Sequence, residues 1–326
     1  GEGRSLSPVF RFWPHHPVGS GIEPLGSDMT STQTIRAAVL GASGYTGADL
    51  IRLAARHPNI EITALIAKAH AGQPLAKVYP HFASLDLPAL VTSDEADWDQ
   101  VDVAFCSLPH GTAHSEIAKL PEGTKVVDMS ADFRLRDLET YAQWYGGEHG
   151  APKLAKGAVY GLTEHYRDDI AKARLVACPG CYPTAVLLAL LPPAQGGLIA
   201  PDGVIVDAKS GVSGAGRSLK QNLLISEAGE GLSPYGVGTQ RHVPEIEQEL
   251  GLAFQQSVVV NFTPHLVPMT RGELCTCYVP LAYGNSADSL REGLHAAYAD
   301  SPFVRVVEEG NIPATQHVRG SNYCHS

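Results

Sequence analysis

The chain has 326 residues, which is enough for about two domains of roughly 150 residues each. Hydrophobic residues make up 44% of it and charged residues 18%, a balance that permits a sizeable core and excludes global disorder. The net charge of −10 does not create the positive field that attracts nucleic acids or anionic membranes. No apolar run approaches the roughly 20 residues that span a bilayer. We therefore expect a protein that binds neither nucleic acid nor membranes.

Six cysteines in a chain of this length favour free thiols over a disulfide framework, so we expect a reduced, cytoplasmic compartment. Residues 1–34 are rich in Gly, Pro and Ser and lack the apolar segment of a secretory signal. Arg4 and Arg11 fit an organellar transit peptide, but Glu2 and Glu23 count against one. The first methionine is Met29, and we interpret residues 1–34 as a tag-like leader or upstream read-through.

Short apolar strands alternate with helical patterns in the first half of the chain. Strands are predicted at 35–40, 62–67, 101–109 and 125–130, and helices at 48–57 and 112–120. This alternation predicts a parallel sheet with helices on its faces. We assign residues 35–182 to a Rossmann-type dinucleotide-binding domain.

The pattern changes after Thr184, where the apolar run VLLALL predicts a buried helix that ends at the Pro192–Pro193 pair. Longer strands follow at 203–210, 257–263, 274–282 and 303–307, with one clear helix at 287–300. Many strands with few helices between them predict an α+β arrangement with a mixed sheet. We assign residues 183–315 to a catalytic and dimerisation domain and residues 316–326 to a return towards the first domain.

The loop GASGYTG lies between the first strand and the first helix. Gly41 permits a tight turn, Gly44 lets the backbone approach a pyrophosphate, and Gly47 allows close packing of the helix. The helix N-terminus adds N–H donors and a favourable dipole. A purely structural turn is the alternative, because the spacing is not the commoner G-x-G-x-x-G.

The end of the second strand indicates which dinucleotide binds. An NAD site usually has an acidic residue there, whereas this chain has Lys68 and His70. A cation at this position favours a 2′-phosphate and therefore NADP. The alternative is that the Lys68 side chain is solvated and contacts no cofactor.

Cys178-Pro-Gly-Cys181 joins the strand RLVA to the helix that follows. A thiol at a helix N-terminus lies in a positive potential that favours the thiolate, so Cys181 is the candidate nucleophile, ionised in the resting protein. A Cys-x-x-Cys redox pair is one alternative. A zinc site with Cys275 and Cys277 is another, although these two alternate along an apolar strand as buried residues do.

A nucleophilic thiol needs a proton carrier, and the candidates are His242 after a glycine-rich loop, His110 and His265. The glycine–serine loop from Lys209 to Arg217 could bind an anionic substrate group through its N–H donors and its arginine. Arg134 offers a second guanidinium, and either arginine could instead form a local ion pair.

An ordered series of motifs resembles the N-acetyl-γ-glutamyl-phosphate reductase family of arginine biosynthesis. The motifs are GASGYTGADLIRL, LPHGTA, DMSADFRL, AVYGLTE, CPGCYPTA, DAKSGVSGAGR, RHVPEI, TPHLVPMTRG and GSNYC, which extend from Ile35 to Cys324. The resemblance implies an NADP-dependent, phosphorylating semialdehyde dehydrogenase with a homodimeric or homotetrameric assembly. It implies that Cys181 attacks the acyl phosphate to form a thioester and that His242 is the acid/base.

The expected site follows from the motifs and the resemblance together, and no metal is expected. Cofactor contacts are expected from Gly41, Ser43, Gly44, Tyr45, Thr46, Gly47, Lys68, Pro109 and His110. Substrate contacts are expected from Arg134, Ser210, Gly211 and Arg217.

Three departures from the family pattern bear on these expectations. Cys178 replaces a frequent asparagine and Gln240 a frequent histidine, so Gln240 is given no proton role. Family members continue past GSNYC with a strand and a helix, so we expect this chain to be destabilised and to bind NADP weakly. The alternatives are an impaired NADP-binding protein, or an aspartate-semialdehyde dehydrogenase with the same thiol mechanism.

Overall fold

The computed structural model describes residues 34–326, so the predicted leader lies almost wholly outside the described residues. The described residues form thirteen strands. These are β1 Ile35–Leu40, β2 Ile60–Ile66, β3 Leu90–Val91, β4 Val103–Cys106, β5 Lys125–Asp128, β6 Val159–Tyr160, β7 Leu175–Ala177, β8 Val204–Ser210, β9 Ser233–Pro234, β10 Val260–Leu266, β11 Glu273–Tyr278, β12 Val304–Arg305 and β13 Cys324–His325.

Ten α-helices connect or follow these strands in the described part of the chain. They are α1 Tyr45–Ala54, α2 Ala113–Ile117, α3 Leu138–Tyr145, α4 Pro152–Ala155, α5 Thr163–Lys172, α6 Cys181–Gln195, α7 Ile225–Ala228, α8 Val243–Phe254, α9 Ala287–Ala297 and α10 Thr315–Val318. None of them combines the length and apolar character that a bilayer crossing needs.

The first sheet has seven parallel strands in the order β3-β2-β1-β4-β5-β7-β6. Apolar residues cover both faces because alternate side chains of each strand point to opposite sides. Val39 packs on the α1 side with Ile51, whereas Leu40 packs on the α2 side with Ile117. The predicted Rossmann-type domain is confirmed, with its first strand at the predicted residues.

The second sheet has the order β11-β8-β10-β9. Strands β8 and β10 are parallel, whereas β11 pairs antiparallel with β8 and β9 pairs antiparallel with β10. Helices α6 and α8 pack on one face, where Val206 and Phe262 join Leu187 and Leu250 in the core. The predicted mixed sheet of an α+β domain is confirmed, and Cys275 and Cys277 pack against this core as expected of buried residues.

Helix α6 corrects the prediction that the Pro192–Pro193 pair ends it, because the helix continues to Gln195. A proline inside a helix leaves the carbonyl four residues earlier without its N–H partner. For Pro192 that carbonyl belongs to Leu188, and it accepts a hydrogen bond of 2.5 Å from the Tyr298 hydroxyl instead. A side chain from outside the helix therefore replaces the missing donor.

Candidate active site

A cleft of about 1540 Å³ opens at the carboxyl ends of the first sheet, where the strand order reverses between β1 and β4. Ligands of open α/β sheets bind at such a point. The glycine-rich loop after β1 and the loop after β8 both line the cleft. The predicted site residues that line it are Gly41, Ser43, Gly44, Tyr45, Thr46, Lys68, Pro109, His110, Arg134, Cys181, Arg217 and His242.

The glycine-rich loop brings backbone close to the cleft. Gly41 has φ 81°, and a Cβ atom there would lie 2.6 Å from the carbonyl oxygen of Ser107. Helix α1 begins after Gly44 without a side-chain cap and without an acidic residue in its first turn. Its first N–H groups and its positive dipole end are therefore available to an anion. Gly47 is buried in the helix behind the loop.

The far end of the cleft carries Lys68, which is exposed directly after β2. Strand β2 ends in Ala-Leu-Ile, without the acidic residue of an NAD site. Thr92 and Asp94, which follow β3, line the same end. The sequence did not predict that Asp94 would bring a carboxylate there.

Pro109 and His110 follow β4 on the exposed rim of the cleft. Arg241 donates a hydrogen bond to the His110 ring, and its guanidinium lies 5.3 Å from the centre of the Tyr145 ring. Burial and the Arg241 charge lower the pKa of His110. Through its hydrogen bond with Arg241, His110 connects the two sides of the cleft. Its lowered pKa keeps the ring neutral at neutral pH.

Two arginines from the second domain contact the glycine-rich loop and its helix. Arg217 donates a hydrogen bond of 3.2 Å to the Ser43 carbonyl and lies 5.0 Å from the centre of the Tyr79 ring. Arg271 forms an ion pair of 3.0 Å with Asp49 of α1. The sequence predicted a substrate contact for Arg217, whereas the structure places its guanidinium beside the dinucleotide loop.

Ser210 and Gly211 do not present a backbone anion site. The Gly211 N–H donates to the Gly272 carbonyl at 3.0 Å, and the Ser210 hydroxyl donates to the Gly211 carbonyl at 3.0 Å. The next two N–H groups donate to the carbonyls of Met269 and Thr270. The N–H groups of residues 211–213 are therefore already paired, which corrects the predicted anion contact at Gly211.

The turn between β7 and α6 is fixed by two buried charged side chains. The Arg134 Nε donates to the Cys178 carbonyl at 2.8 Å. The Glu245 carboxylate accepts hydrogen bonds of 2.8 Å from the Gly180 N–H and from the Tyr160 hydroxyl. Because Arg134 and Glu245 are 3.5 Å apart, they also compensate each other's charge. Arg134 thus lines the floor of the cleft while it holds the turn in place.

Cys181 is the first residue of α6 and is accessible from the cleft. Burial among the surrounding groups raises the pKa of its thiol, and the nearby Glu273 carboxyl raises it further. A hydrogen bond with the Tyr182 backbone N–H and the charge of Arg134 lower this pKa, but by less. These surroundings oppose ionisation of the thiol, whereas the Tyr182 N–H and Arg134 favour it, and ionisation of Cys181 in the resting protein stays a prediction.

His242 immediately precedes α8 and faces the turn that carries Cys181. A Cβ atom on Gly180 would lie 2.5 Å from the His242 Nε2 and 3.0 Å from an Arg134 terminal nitrogen. Burial and the Arg134 charge lower the pKa of His242 to about 3, so the imidazole is neutral at neutral pH. The glycine before the cysteine is thus what allows the predicted pair to approach each other.

His265, the third candidate proton carrier, lies elsewhere. Its ring nitrogen is 3.1 Å from the Ala208 carbonyl on the outer face of the second sheet. Sequence reasoning also missed Glu273, Arg271 and Tyr79. Arg271 stands in the motif TPHLVPMTRG and Glu273 directly follows it, yet only the folded arrangement of β11 against α6 and α1 shows what they contact.

Two family models match consecutive parts of the chain. The semialdehyde dehydrogenase NAD binding domain matches residues 36–173, and the semialdehyde dehydrogenase dimerisation domain matches residues 181–326. The cleft between a glycine-rich loop and a cysteine at a helix start lies between these two parts. The chain therefore belongs to the semialdehyde dehydrogenase class.

Relatives with high identity define the family within this class. An N-acetyl-gamma-glutamyl-phosphate reductase of Rhodospirillum rubrum is 54% identical over 90% of this chain and 84% of its own length. A probable chloroplastic N-acetyl-gamma-glutamyl-phosphate reductase of Arabidopsis thaliana is 52% identical over 92% of this chain and 75% of its own length. The chain belongs to the N-acetyl-gamma-glutamyl-phosphate reductase family.

Solved structures share the fold at much lower identity. An aspartate semialdehyde dehydrogenase of Candida albicans with NADP has a TM-score of 0.62 at 16% identity, and covers 89% of this chain and 87% of its own. An aspartate semialdehyde dehydrogenase II of Vibrio cholerae complexed with ASA has a TM-score of 0.61 at 17% identity, with 88% and 84% covered. At these identities the likeness concerns the fold alone.

Proposed function

We propose that the chain is an oxidoreductase of arginine biosynthesis. It reduces N-acetyl-L-glutamyl 5-phosphate with NADPH to N-acetyl-L-glutamate 5-semialdehyde and phosphate, through a thioester on Cys181. One observation carries this proposal: Cys181 begins a helix that opens into the same cleft as the glycine-rich loop. The family indicates the substrate. The cleft allows a dinucleotide at the glycine-rich loop and the thiol of Cys181 to reach the same substrate.

The residues around the glycine-rich loop fit a dinucleotide. Gly41 leaves no room for a side chain, and α1 offers uncapped N–H groups, so a pyrophosphate can replace the missing cap. We assign the cofactor to the loop residues and to Lys68, with Pro109 and His110 on its other side. The cation at the end of β2 favours NADP. When bound, NADPH supplies the hydride that reduces the thioester.

Arg217 is better assigned to this cofactor site than to the substrate. Its guanidinium already contacts the Ser43 carbonyl and the Tyr79 ring. A cation held at the loop attracts the phosphates of a dinucleotide and joins the second domain to the first. Arg134 remains the proposed source of positive charge for the anionic substrate, because it lines the cleft beside the Cys181 turn.

The reaction begins when the S–H bond of Cys181 breaks and its proton passes to the neutral imidazole of His242. The sulfur attacks the acyl carbon, and phosphate leaves with the electron pair of the C–O bond. Thiolate is a good nucleophile and later a good leaving group, so one atom serves both halves of the reaction. His242 is neutral and lies beside the turn, so we assign it to the substrate oxygen. There it can hydrogen-bond to the charge that develops on that oxygen.

The outer face of the second sheet supports a homodimeric assembly. Ile205, Val259, Leu274 and Tyr278 project from this face with 46%, 71%, 36% and 57% of their surface exposed. Exposed apolar side chains on one sheet face are typical of protein interfaces. The matching family model is a dimerisation domain, so we propose a second copy of this chain as the partner. Size measurement by light scattering tests this, with a monomer as the contrary result.

All six cysteines are free thiols, which supports a reducing compartment. We propose the cytoplasm, whereas the Arabidopsis relative is named chloroplastic.

The activity assay is phosphate-dependent NADP reduction with N-acetylglutamate semialdehyde. We expect turnover by the chain and a loss on the order of 10⁴-fold or more in Cys181→Ser. Cys277→Ala, which changes a thiol packed against the core, is the matched control and should remain active. Retained activity in Cys181→Ser contradicts the nucleophile assignment. Faster turnover of aspartate semialdehyde favours the alternative substrate.

A further inference from the structure

We propose that Asp132 is a positioning residue for the cofactor, because it fixes the loop that carries Pro109 and His110. The inference rests on the proposed function, which assigns the cofactor to this loop and to the glycine-rich loop. Asp132 lies outside the lining of the cleft, so it acts through the backbone that it holds.

Asp132 is completely buried, and its carboxylate accepts hydrogen bonds from two backbone N–H groups of this loop. One oxygen lies 2.7 Å from the Gly111 nitrogen, and the other lies 3.1 Å from the His114 nitrogen. A buried carboxylate is costly unless hydrogen-bond donors compensate its charge. The same two bonds fix the backbone on both sides of Thr112.

The loop depends on Asp132 because its own side chains do not cap the helix that follows. Thr112 is the N-cap of α2, yet its side chain makes no capping hydrogen bond. The N–H of the second helical residue, His114, is one that a cap normally satisfies, and Asp132 accepts it instead. Gly111 has φ 77°, a left-handed conformation that glycine adopts without steric cost. The carboxylate therefore holds a turn that local sequence does not close by itself.

Asp132 also supports the opposite side of the cleft through two tyrosines. The Tyr141 hydroxyl donates to it at 2.9 Å, and the Tyr141 ring stacks on the Tyr145 ring with centres 4.9 Å apart. The centre of the Tyr145 ring lies 5.6 Å from that of His110 and 5.3 Å from the Arg241 guanidinium. Both routes from Asp132 therefore meet at the hydrogen bond between Arg241 and His110.

The sheet order indicates which part of a dinucleotide this loop serves. Strand β1 lies between β2, which Lys68 follows, and β4, which the loop follows. With the 2′-phosphate assigned to Lys68 and the pyrophosphate to the start of α1, the nicotinamide end belongs on the β4 side. NADPH and NADH share that end. A displaced loop should therefore weaken the binding of both dinucleotides equally, in contrast to a change at Lys68.

A merely structural role of Asp132 makes different predictions. If Asp132 only stabilises the first domain, its loss lowers the folded fraction, and the molecules that remain folded bind NADPH normally. Hydrogen exchange should then rise in all strands of the first sheet. If Asp132 positions the loop, exchange should rise in the loop and at the start of α2, and a fully folded variant should bind NADPH more weakly.

The test compares wild type, Asp132→Asn, Tyr141→Phe and Asp102→Asn. Asp102 is the matched control because its carboxylate also accepts a backbone N–H, that of Arg36 at 2.8 Å, together with two guanidinium N–H groups. It precedes β4 and so lies at the opposite edge of the sheet from the cleft. One measurement is hydrogen exchange without cofactor, followed by mass spectrometry in peptides that cover residues 107–120. The other is fluorescence titration with NADPH and with NADH.

We expect the loop amides of Asp132→Asn to exchange about 10-fold faster or more, because an amide group cannot accept all three hydrogen bonds. The Kd values for NADPH and NADH should both rise by about 10-fold. Tyr141→Phe removes one of the three bonds and should raise both Kd values by about 2- to 5-fold. Asp102→Asn should match wild type in both measurements.

Unchanged loop exchange or unchanged Kd values in folded Asp132→Asn overturn the proposal. Faster exchange across the whole first sheet with normal NADPH binding does so as well. If Asp132→Asn does not fold, Tyr141→Phe decides between the same results. Failure of the proposed function differs from these outcomes, because wild type would then be inactive or Cys181→Ser would remain active.

Discussion

Two helices of this molecule have similar N-termini but present different groups to the cleft. Helices α1 and α6 each follow a strand of the first sheet, each has a glycine as N-cap, and neither has a side-chain cap or an acidic first turn. The start of α1 presents its backbone N–H groups to the cleft together with Tyr45 and Thr46, and these N–H groups suit a phosphate. The start of α6 presents Cys181 instead.

The comparison shows that a helix N-terminus does not by itself ionise a thiol. The dipole contributes about 0.3–1 kcal/mol, which is less than one pKa unit. Burial can shift a pKa by about 3–5 units in the opposite direction. At α6 burial and Glu273 prevail, and the thiol pKa rises. The thiol at the α6 site therefore needs a proton acceptor, whereas the start of α1 can bind an anion through its backbone N–H groups.

The largest expected effect on the α6 side comes from His242→Gln. Loss of the neutral imidazole should lower turnover by about 10²–10⁴-fold, because the substrate oxygen loses its hydrogen-bonding group. Labelling of Cys181 by iodoacetamide should also slow, because the thiol loses its proposed proton acceptor. His165→Gln is the control, because His165 is also a half-buried imidazole, with a pKa lowered to about 4, but lies beside Tyr298. Equal loss in both variants would contradict the assignment.

A smaller but informative loss is expected from Gly180→Ala. The new methyl group would lie 2.5 Å from the His242 Nε2, so the imidazole must move. Displacement of a reacting group by about 1 Å can cost about 10²-fold in turnover. Gly123→Ala, where a Cβ atom meets no atom within 4 Å, is the matched control. Unchanged turnover in Gly180→Ala would show that the tight approach of His242 has no catalytic importance.

On the α1 side, Lys68→Ala tests the choice of dinucleotide. A charge-assisted hydrogen bond is worth about 1.5–3 kcal/mol, so the KM for NADPH should rise by roughly 10- to 100-fold. The KM for NADH should change little, because NADH has no 2′-phosphate. Steady-state kinetics with both cofactors measure the ratio. An equal effect on both would assign Lys68 to a role that does not involve the phosphate.

The smallest effect is expected from Arg217→Ala. An exposed cation–π contact is worth about 0.5–1 kcal/mol, so the KM for NADPH should rise by a few fold while kcat stays constant. The exposed Arg319→Ala variant, beyond α10, is the control. A large loss of kcat in Arg217→Ala would instead return this residue to the substrate, as the sequence first indicated.

The sequence predicts the backbone of both helix starts better than their surroundings. Strand β1, the glycine turn and the Cys181 turn are local features, and the structure contains them where the pattern places them. Glu273 is different, because it lies far along the chain from Cys181. Its alternation with Cys275 and Cys277 places it on a buried face, yet nothing in that pattern shows which helix covers the face.

The glycine–serine loop shows the same limit. Its composition suggests free N–H donors, but their carbonyl partners come from Met269, Thr270 and Gly272, which lie on a separate segment. The Pro192–Pro193 pair also gives a wrong helix end, because the Tyr298 hydroxyl replaces the N–H donor that Pro192 lacks. In each case the deciding group is brought in by tertiary structure.

The central claim is that Cys181 carries the acyl group, and it can be tested without the reduction step. The chain is incubated with N-acetylglutamyl phosphate and no NADPH, then digested and analysed by mass spectrometry. We predict one N-acetylglutamyl group on the peptide that contains Cys181, with release of an equivalent amount of phosphate. Phosphate release without an adduct, or an adduct on another cysteine, would contradict the account.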